Sequence, residues 1–212
     1  MPSRSIAVSR EATKNSAQSS SARAPLSISK SDKPPASHSC IEIPLSAVPA
    51  ININLFKAND ELPDMNVFVA LGCSSETAEE IANAVSDALN RIKDLEKSSS
   101  RVLKSDAGKF VEISPFKLEG SQIRNDLNET LHKLLPDGRA DVIMANLDRN
   151  VRFGGFGAFR REFSAELNKI GDAEVWGYTL KVDEPGLPVK TLGGSALNVL
   201  FAARFKHLTG GR

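Results

Sequence analysis

The sequence predicts an α/β fold, a single layered domain with a mixed, partly parallel sheet, on three observations. Apolar stripes at helical spacing alternate along the chain with short β-branched apolar runs, the order in which helices and strands follow one another in an α/β layer. At 212 residues the chain is long enough for one full core and short for two. Its 41% apolar and 25% charged content is ordinary for a globular protein.

Residues 1–40 differ from the rest. They hold twelve serines and six basic residues (Arg4, Arg10, Lys14, Arg23, Lys30, Lys33) against Glu11 and Asp32. Such a segment buries too little apolar surface to offset the entropy of ordering, so a disordered tail over 1–40 and an α/β domain over 41–212 are expected. A transit peptide or a secretion signal for a bacterial injection system shares this Ser-rich, acid-poor composition. Order is expected to begin at CIEIPLSAV, where Ile41, Ile43 and Leu45 alternate with Glu42 and Pro44 as on a strand near a sheet edge.

The run NVFVALG (66–72) predicts a strand covered on both faces. A helix follows over about 77–97, with Thr77 and Glu80 as a capping box and Ile81, Val85, Ala88, Leu89, Ile92 and Leu95 on one stripe. SSSRVLKSDAGK then reads as a loop, and KFVEISPF as a strand stopped by Pro115. A second helix carries Ile123, Leu127, Leu131, Leu134 and Leu135 on one face and ends at Pro136-Asp137-Gly138. ADVIMANL (140–147) predicts another buried strand, AFRREFSAELNKIG a helix stopped by Gly171, and EVWGYTLKV a strand with Trp176, Tyr178, Leu180 and Val182 on one face. Ser195 is placed to cap a last helix, ALNVLFAARFKHL, whose Arg204, Lys206 and His207 suit a C-terminal turn.

Composition excludes several classes. With a net charge of +1, no overall field draws the chain to nucleic acid or anionic lipid, so any such binding needs a local patch. Two cysteines, Cys40 and Cys73, make neither a disulfide framework nor a zinc site, and a reducing cytoplasm fits them. No stretch approaches the roughly 18 apolar residues of a membrane helix, and the N-terminus has no apolar h-region. His38, His132 and His207 have no visible Ser or Cys partner, which argues against a catalytic triad.

One stretch asks for an explanation. RFGGFGAFRREF (152–163) sets Gly154, Gly155 and Gly157 just before Arg160 and Arg161, between an expected strand and an expected helix. Loops beyond strand ends that lead into helix N-termini are anion sites, glycine admits positive φ and close approach, and paired arginines fork onto phosphate. The competing reading is a loop whose Phe153, Phe156 and Phe159 pack the core while the arginines are solvated. Asp148, at the expected strand end, is the candidate catalytic carboxylate; a phosphodiesterase needs a second one converging with it on a metal such as Mg²⁺. A second Gly-Gly pair, Gly193-Gly194 before Ser195, reads either as part of the same cradle or as a tight turn. Cys73, ahead of a helix N-terminus, is a candidate thiol nucleophile or an inert core residue.

The segment GAFRREFSAELNKIGDAEVWGYTL resembles the G-x-x-R box of the ParB/sulfiredoxin superfamily. Gly157 and Arg160 match the box, Leu167 and Gly171 the helix end, and Glu174-Val175 the strand entry; IEIPLSAVPA resembles the opening of those domains. The resemblance implies a nucleotide-phosphate cradle at Gly157, Arg160 and Arg161. Sulfiredoxins carry a nucleophilic Cys after the box glycine, where this chain has Ala158, and the partition proteins add a DNA-binding domain for which no room follows Val182. A stand-alone member, similar to small plasmid fertility-inhibition proteins, is what the resemblance leaves, and it implies nucleotide hydrolysis and DNA cleavage.

The functional expectation is therefore a cytoplasmic protein that binds a nucleotide (ATP or CTP, with Mg²⁺) or a DNA phosphate at residues 152–161. It would act in plasmid transfer or fertility inhibition, beside a component of a DNA-transfer or secretion apparatus. The alternative is a non-enzymatic interaction protein, an inhibitor or a translocated effector.

Overall fold

The computed structural model describes residues 5–9, 40–57, 61–105, 108–135, 138–170 and 172–209. Most of the expected N-terminal tail, with His38, lies outside them. Within it, β1 (Ser5–Ser9) pairs antiparallel with β2 (Cys40–Pro44) as a separate two-stranded sheet. A 3-10 turn over Leu45–Ala50 leads on to α1 (Met65–Ala70) and α2 (Ser75–Ser98). A hairpin of β3 (Ser100–Ser105) and β4 (Gly108–Ile113) comes next, then α3 (Lys117–Leu134) and α4 (Arg139–Arg149). The chain closes with β5 (Arg160–Ile170), β6 (Ala173–Asp183), β7 (Lys190–Gly193), α5 (Ser195–Arg204) and α6 (Lys206–Thr209).

The main sheet has five strands in the order β3-β4-β5-β6-β7, and every pairing is antiparallel. The α/β class stands; the expected partly parallel sheet does not. Two of the runs expected to be buried strands are themselves helices, so among the described residues no β-α-β crossover arises to make a parallel pair. One is α1, started by Asp64, whose Oδ1 accepts from Asn66 N at 3.1 Å, and only its Phe68 is buried. The other is α4, where Ala140, Ile143, Met144 and Leu147 turn inward at helical spacing. A short apolar run carries no period that separates the two structures.

The reverse exchange occurs at 160–170. Instead of a helix, β5 forms the centre of the sheet, with Arg161, Phe163 and Ala165 turned inward and Arg160, Glu162 and Glu166 outward. Its Glu, Ala, Leu and Lys favour helix, but a full ladder with β4 and β6 overrides that preference. The expected loop at 98–109 is the β3–β4 hairpin.

The α2 stripe is as expected: Ile81, Val85, Ala88, Leu89 and Ile92 are buried, and Leu95 is partly so. Its cap is Ser74, whose Oγ accepts from Thr77 N at 3.1 Å. On α3, Ile123, Leu127 and Leu131 join the same core, which meets the inner sheet face at Val111, Ile113, Phe163 and Leu180. Phe205 closes the far end with its ring 4.4 Å from Phe163. Helices thus cover one face of the sheet, and the other carries a row of alternating charge.

Candidate functional site

The glycine stretch makes one left-handed turn. Gly154 (φ 54°), Gly155 (φ 61°), Phe156 (φ 51°) and Gly157 (φ 72°) are consecutive residues at positive φ, bracketed by i→i+3 bonds from Phe156 N to Phe153 O (2.9 Å) and Ala158 N to Gly155 O (3.1 Å). L-residues pay about 1–2 kcal/mol for that conformation and glycine does not, which accounts for three glycines around a single Phe. The turn buries Phe156 against Phe153, ring centroids 4.9 Å apart. It also brings Gly157 O within 3.0 Å of Phe116 N at the start of α3. A Cβ at Gly157 would enter the Phe116 ring, and one at Gly154 would enter the Arg161 guanidinium. The space beside the glycines is filled by the protein itself.

Arg160 and Arg161 open a strand, and they point to opposite faces of the sheet. Arg160 is half exposed; its Nε donates to Glu112 Oε1 at 2.8 Å, with Asp183 4.0 Å from Nη1. That hydrogen bond holds the Glu112 carboxyl below its ordinary value and raises Arg160. Arg161 is fully buried, and its Nη1 donates to Glu96 Oε1 at 2.6 Å.

Glu96 is the centre of a buried network. Besides Arg161 it accepts a fork from Arg204, Nη1 to Oε2 at 2.7 Å and Nη2 to Oε1 at 2.8 Å. Arg204 Nε donates to Arg152 O at 2.7 Å, and His207 Nε2 stands 3.0 Å from Glu96 Oε2 without hydrogen-bond geometry. Burial pushes the Glu96 carboxyl up, but Arg204 and Arg161 outweigh it and hold the group well below the usual carboxylate range. Burial lowers Arg161 against the attraction of Glu96. Arg161 Nε and Nη2 find no hydrogen-bond partner among the described residues; the guanidinium lies 5.7 Å over the Phe116 ring. One carboxylate from α2 thereby ties β5 and the C-terminal helices to the core.

The remaining candidates are dispersed. Asp148 is on α4, where Arg124 of α3 takes both its oxygens, Nε to Oδ1 and Nη2 to Oδ2, each at 2.7 Å. Among the described residues no three His, Cys, Asp or Glu side chains gather as metal ligands. Cys73 is buried, with Arg139 Nη1 3.9 Å from its sulfur. Gly194, at φ 114°, is the residue before α5 in place of the expected Ser195 cap. His132 lies 3.3 Å from Asp141, and His207, read as a helix-end cation, belongs to the Glu96 network.

Two features of that network were visible in the sequence. Glu96 continues the α2 stripe four residues beyond Ile92, and Arg161 shares the alternation of Phe163 and Ala165. An acid and a base on apolar faces are the signature of a buried pair, and the helical reading of 158–171 concealed it.

The chain matches no family model, and no curated protein or solved structure is significantly similar to it. No helix among the described residues is long and apolar enough to cross a membrane.

The two neighbouring arginines should respond differently to substitution. Arg160→Ala is expected to leave the melting temperature within a degree or so of the parent, because exposed pairs add little. A large drop in a thermal melt would mean that the Glu112 pair carries structural weight.

Proposed function

We propose that the chain is a non-enzymatic interaction protein that recognises another protein through the outer end of the β5–β6 ribbon. One observation carries this reading. The inward face of the sheet runs from buried Phe163, Ala165 and Leu180 out to the cross-strand pair Leu167 and Trp176, which the helices no longer cover: Leu167 is 43% exposed and Trp176 48%. Val175 on the opposite face is 41% exposed. Exposed aromatic and aliphatic residues grouped in this way are typical anchors of protein interfaces.

The ribbon also offers backbone. β4 pairs with β5 only as far as Glu166, and β7 with β6 only from Thr179, so, among the described residues, 167–170 and 173–175 have no strand neighbour on their outer edge beside the apolar pair. At its root α5 closes that edge, as Asn198 Nδ2 donates to Trp176 O at 3.3 Å and Asn198 Oδ1 accepts from Tyr178 N at 3.3 Å. A DNA-transfer or secretion component, the partner class expected from the sequence, would meet this surface as a protein.

The rival reading, a nucleotide or DNA phosphate bound at 152–161, would require Arg161 to leave Glu96 and Arg160 to leave Glu112. An uncompensated buried charge makes the first of these costly.

Trp176 is the only tryptophan, so its fluorescence reports the ribbon alone. Proteins captured by the parent but not by Trp176→Asp should, when purified, shift that emission to the blue on binding. A partner set unchanged by Trp176→Asp would overturn the proposal. Calorimetric titration with ATP, CTP and short DNA is the companion measurement, and binding abolished by Arg160→Ala would put the phosphate reading ahead.

A further inference from the structure

We propose a second docking site, independent of the ribbon: the groove between α2 and α3 takes an amphipathic helix of a partner whose polar flanks are basic. The groove is open to solvent along its length and has a volume of about 600 Å³. Leu95 and Ile123 line it together with Leu118, which is 81% exposed. A leucine so exposed on the first turn of a helix contributes nothing to this fold's core; against an apolar partner it would be an anchor.

The charges around the groove select the partner. Arg91 is already committed, with Nη2 donating to Asp126 Oδ2 at 2.8 Å, and Gln122 Nε2 donates to Asp126 Oδ1 at 2.7 Å. Lys93, on the same helix, is held by Glu61 at 2.6 Å. Asp94 and Glu119 also line the groove, and neither has an ion pair among the described residues. The unanswered charge is therefore negative, complementary to Lys or Arg flanking an apolar stripe.

Backbone chemistry selects the occupant's conformation. Both walls are helices, whose main-chain groups beyond the first turn of α3 are bonded within themselves, so the groove has no strand edge for an extended peptide to join. A segment that buries its apolar face there must satisfy its own N–H and C=O groups, which a helix does.

The test uses a synthetic helix of about 18 residues, five turns, with Leu at i, i+3, i+4 and i+7 and Lys elsewhere. A second peptide replaces every Lys by Glu. Fluorescence anisotropy at fixed salt should give at least about tenfold tighter binding of the Lys peptide. Leu118→Ser should weaken that binding about tenfold or more, with an unchanged circular dichroism spectrum, since the side chain is exposed and the charge of the groove is kept. Asp94→Asn with Glu119→Gln should narrow the preference between the peptides to about threefold or less and flatten the salt dependence. Trp176→Asp should leave Lys-peptide binding as in the parent, which separates this site from the ribbon. Equal affinity for both peptides, no binding of either, or binding insensitive to both groove variants would overturn the proposal.

Discussion

Glu96→Gln protein is expected to melt on the order of 10 °C below the parent, a loss of about 3–5 kcal/mol. The residue types alone would not give so large an effect; the position does. Glu96, Arg161 and Arg204 are all buried, and glutamine keeps the shape of the carboxylate while removing the one negative charge that two guanidiniums share. Neither arginine can shed its proton at ordinary pH, so both stay charged in a low dielectric. The cost of the variant is mainly that of cations left without a counter-ion. A network of this kind does not by itself make a protein more stable than an apolar core would. Replacing all three groups, Glu96→Leu with Arg161→Met and Arg204→Leu, should therefore recover most of the loss. A Glu96→Gln melting temperature equal to the parent's would show that water reaches the network and screens it.

Acid should expose the same dependence. Because the folded carboxyl of Glu96 is held well below its ordinary value, its contribution is fully present above the unfolded value of about 4.3 and is lost as pH falls below it. The parent should lose stability steeply below about pH 4, and the apolar triple variant less steeply. Parallel acid-denaturation curves would remove Glu96 from the account.

What the sequence made legible, and what it hid, divides along one physical line. The α2 stripe was readable because 24 residues give helical periodicity several turns to repeat. β6 was readable because Tyr178, Leu180 and Val182 alternate with polar residues. The runs at 66–72 and 140–147 are too short and too uniformly apolar to show either period, and both fold as helices. At 160–170 the composition favours a helix while the position, a strand with a neighbour on each side, decides otherwise; nothing local announces which strands will flank it. The glycines at 154, 155 and 157 mark backbone that L-residues avoid. The paired arginines beside them invited a ligand, and reading them as strand residues would have sent one inward to look for an acid.

Gly157→Ala decides between those explanations of the loop. If the glycine is there for folding, alanine is strained twice. It must hold φ 72°, at about 1–2 kcal/mol, and its Cβ must displace the Phe116 ring, an overpacking of about 1–3 kcal/mol. A combined loss of about 2–5 kcal/mol follows, together with weakening of the Phe116 N to Gly157 O bond that seats α3 on the turn. Phe116→Ala in the Gly157→Ala background supplies the check. Removing the ring relieves the clash but not the backbone strain, so the double variant should be less destabilised than the sum of the two single changes. If the glycine is there for a phosphate, Gly157→Ala should melt like the parent and differ only in binding ATP, CTP or DNA. Denaturant unfolding of the four proteins separates the outcomes: strict additivity of the two substitutions would mean that the ring and the glycine do not touch.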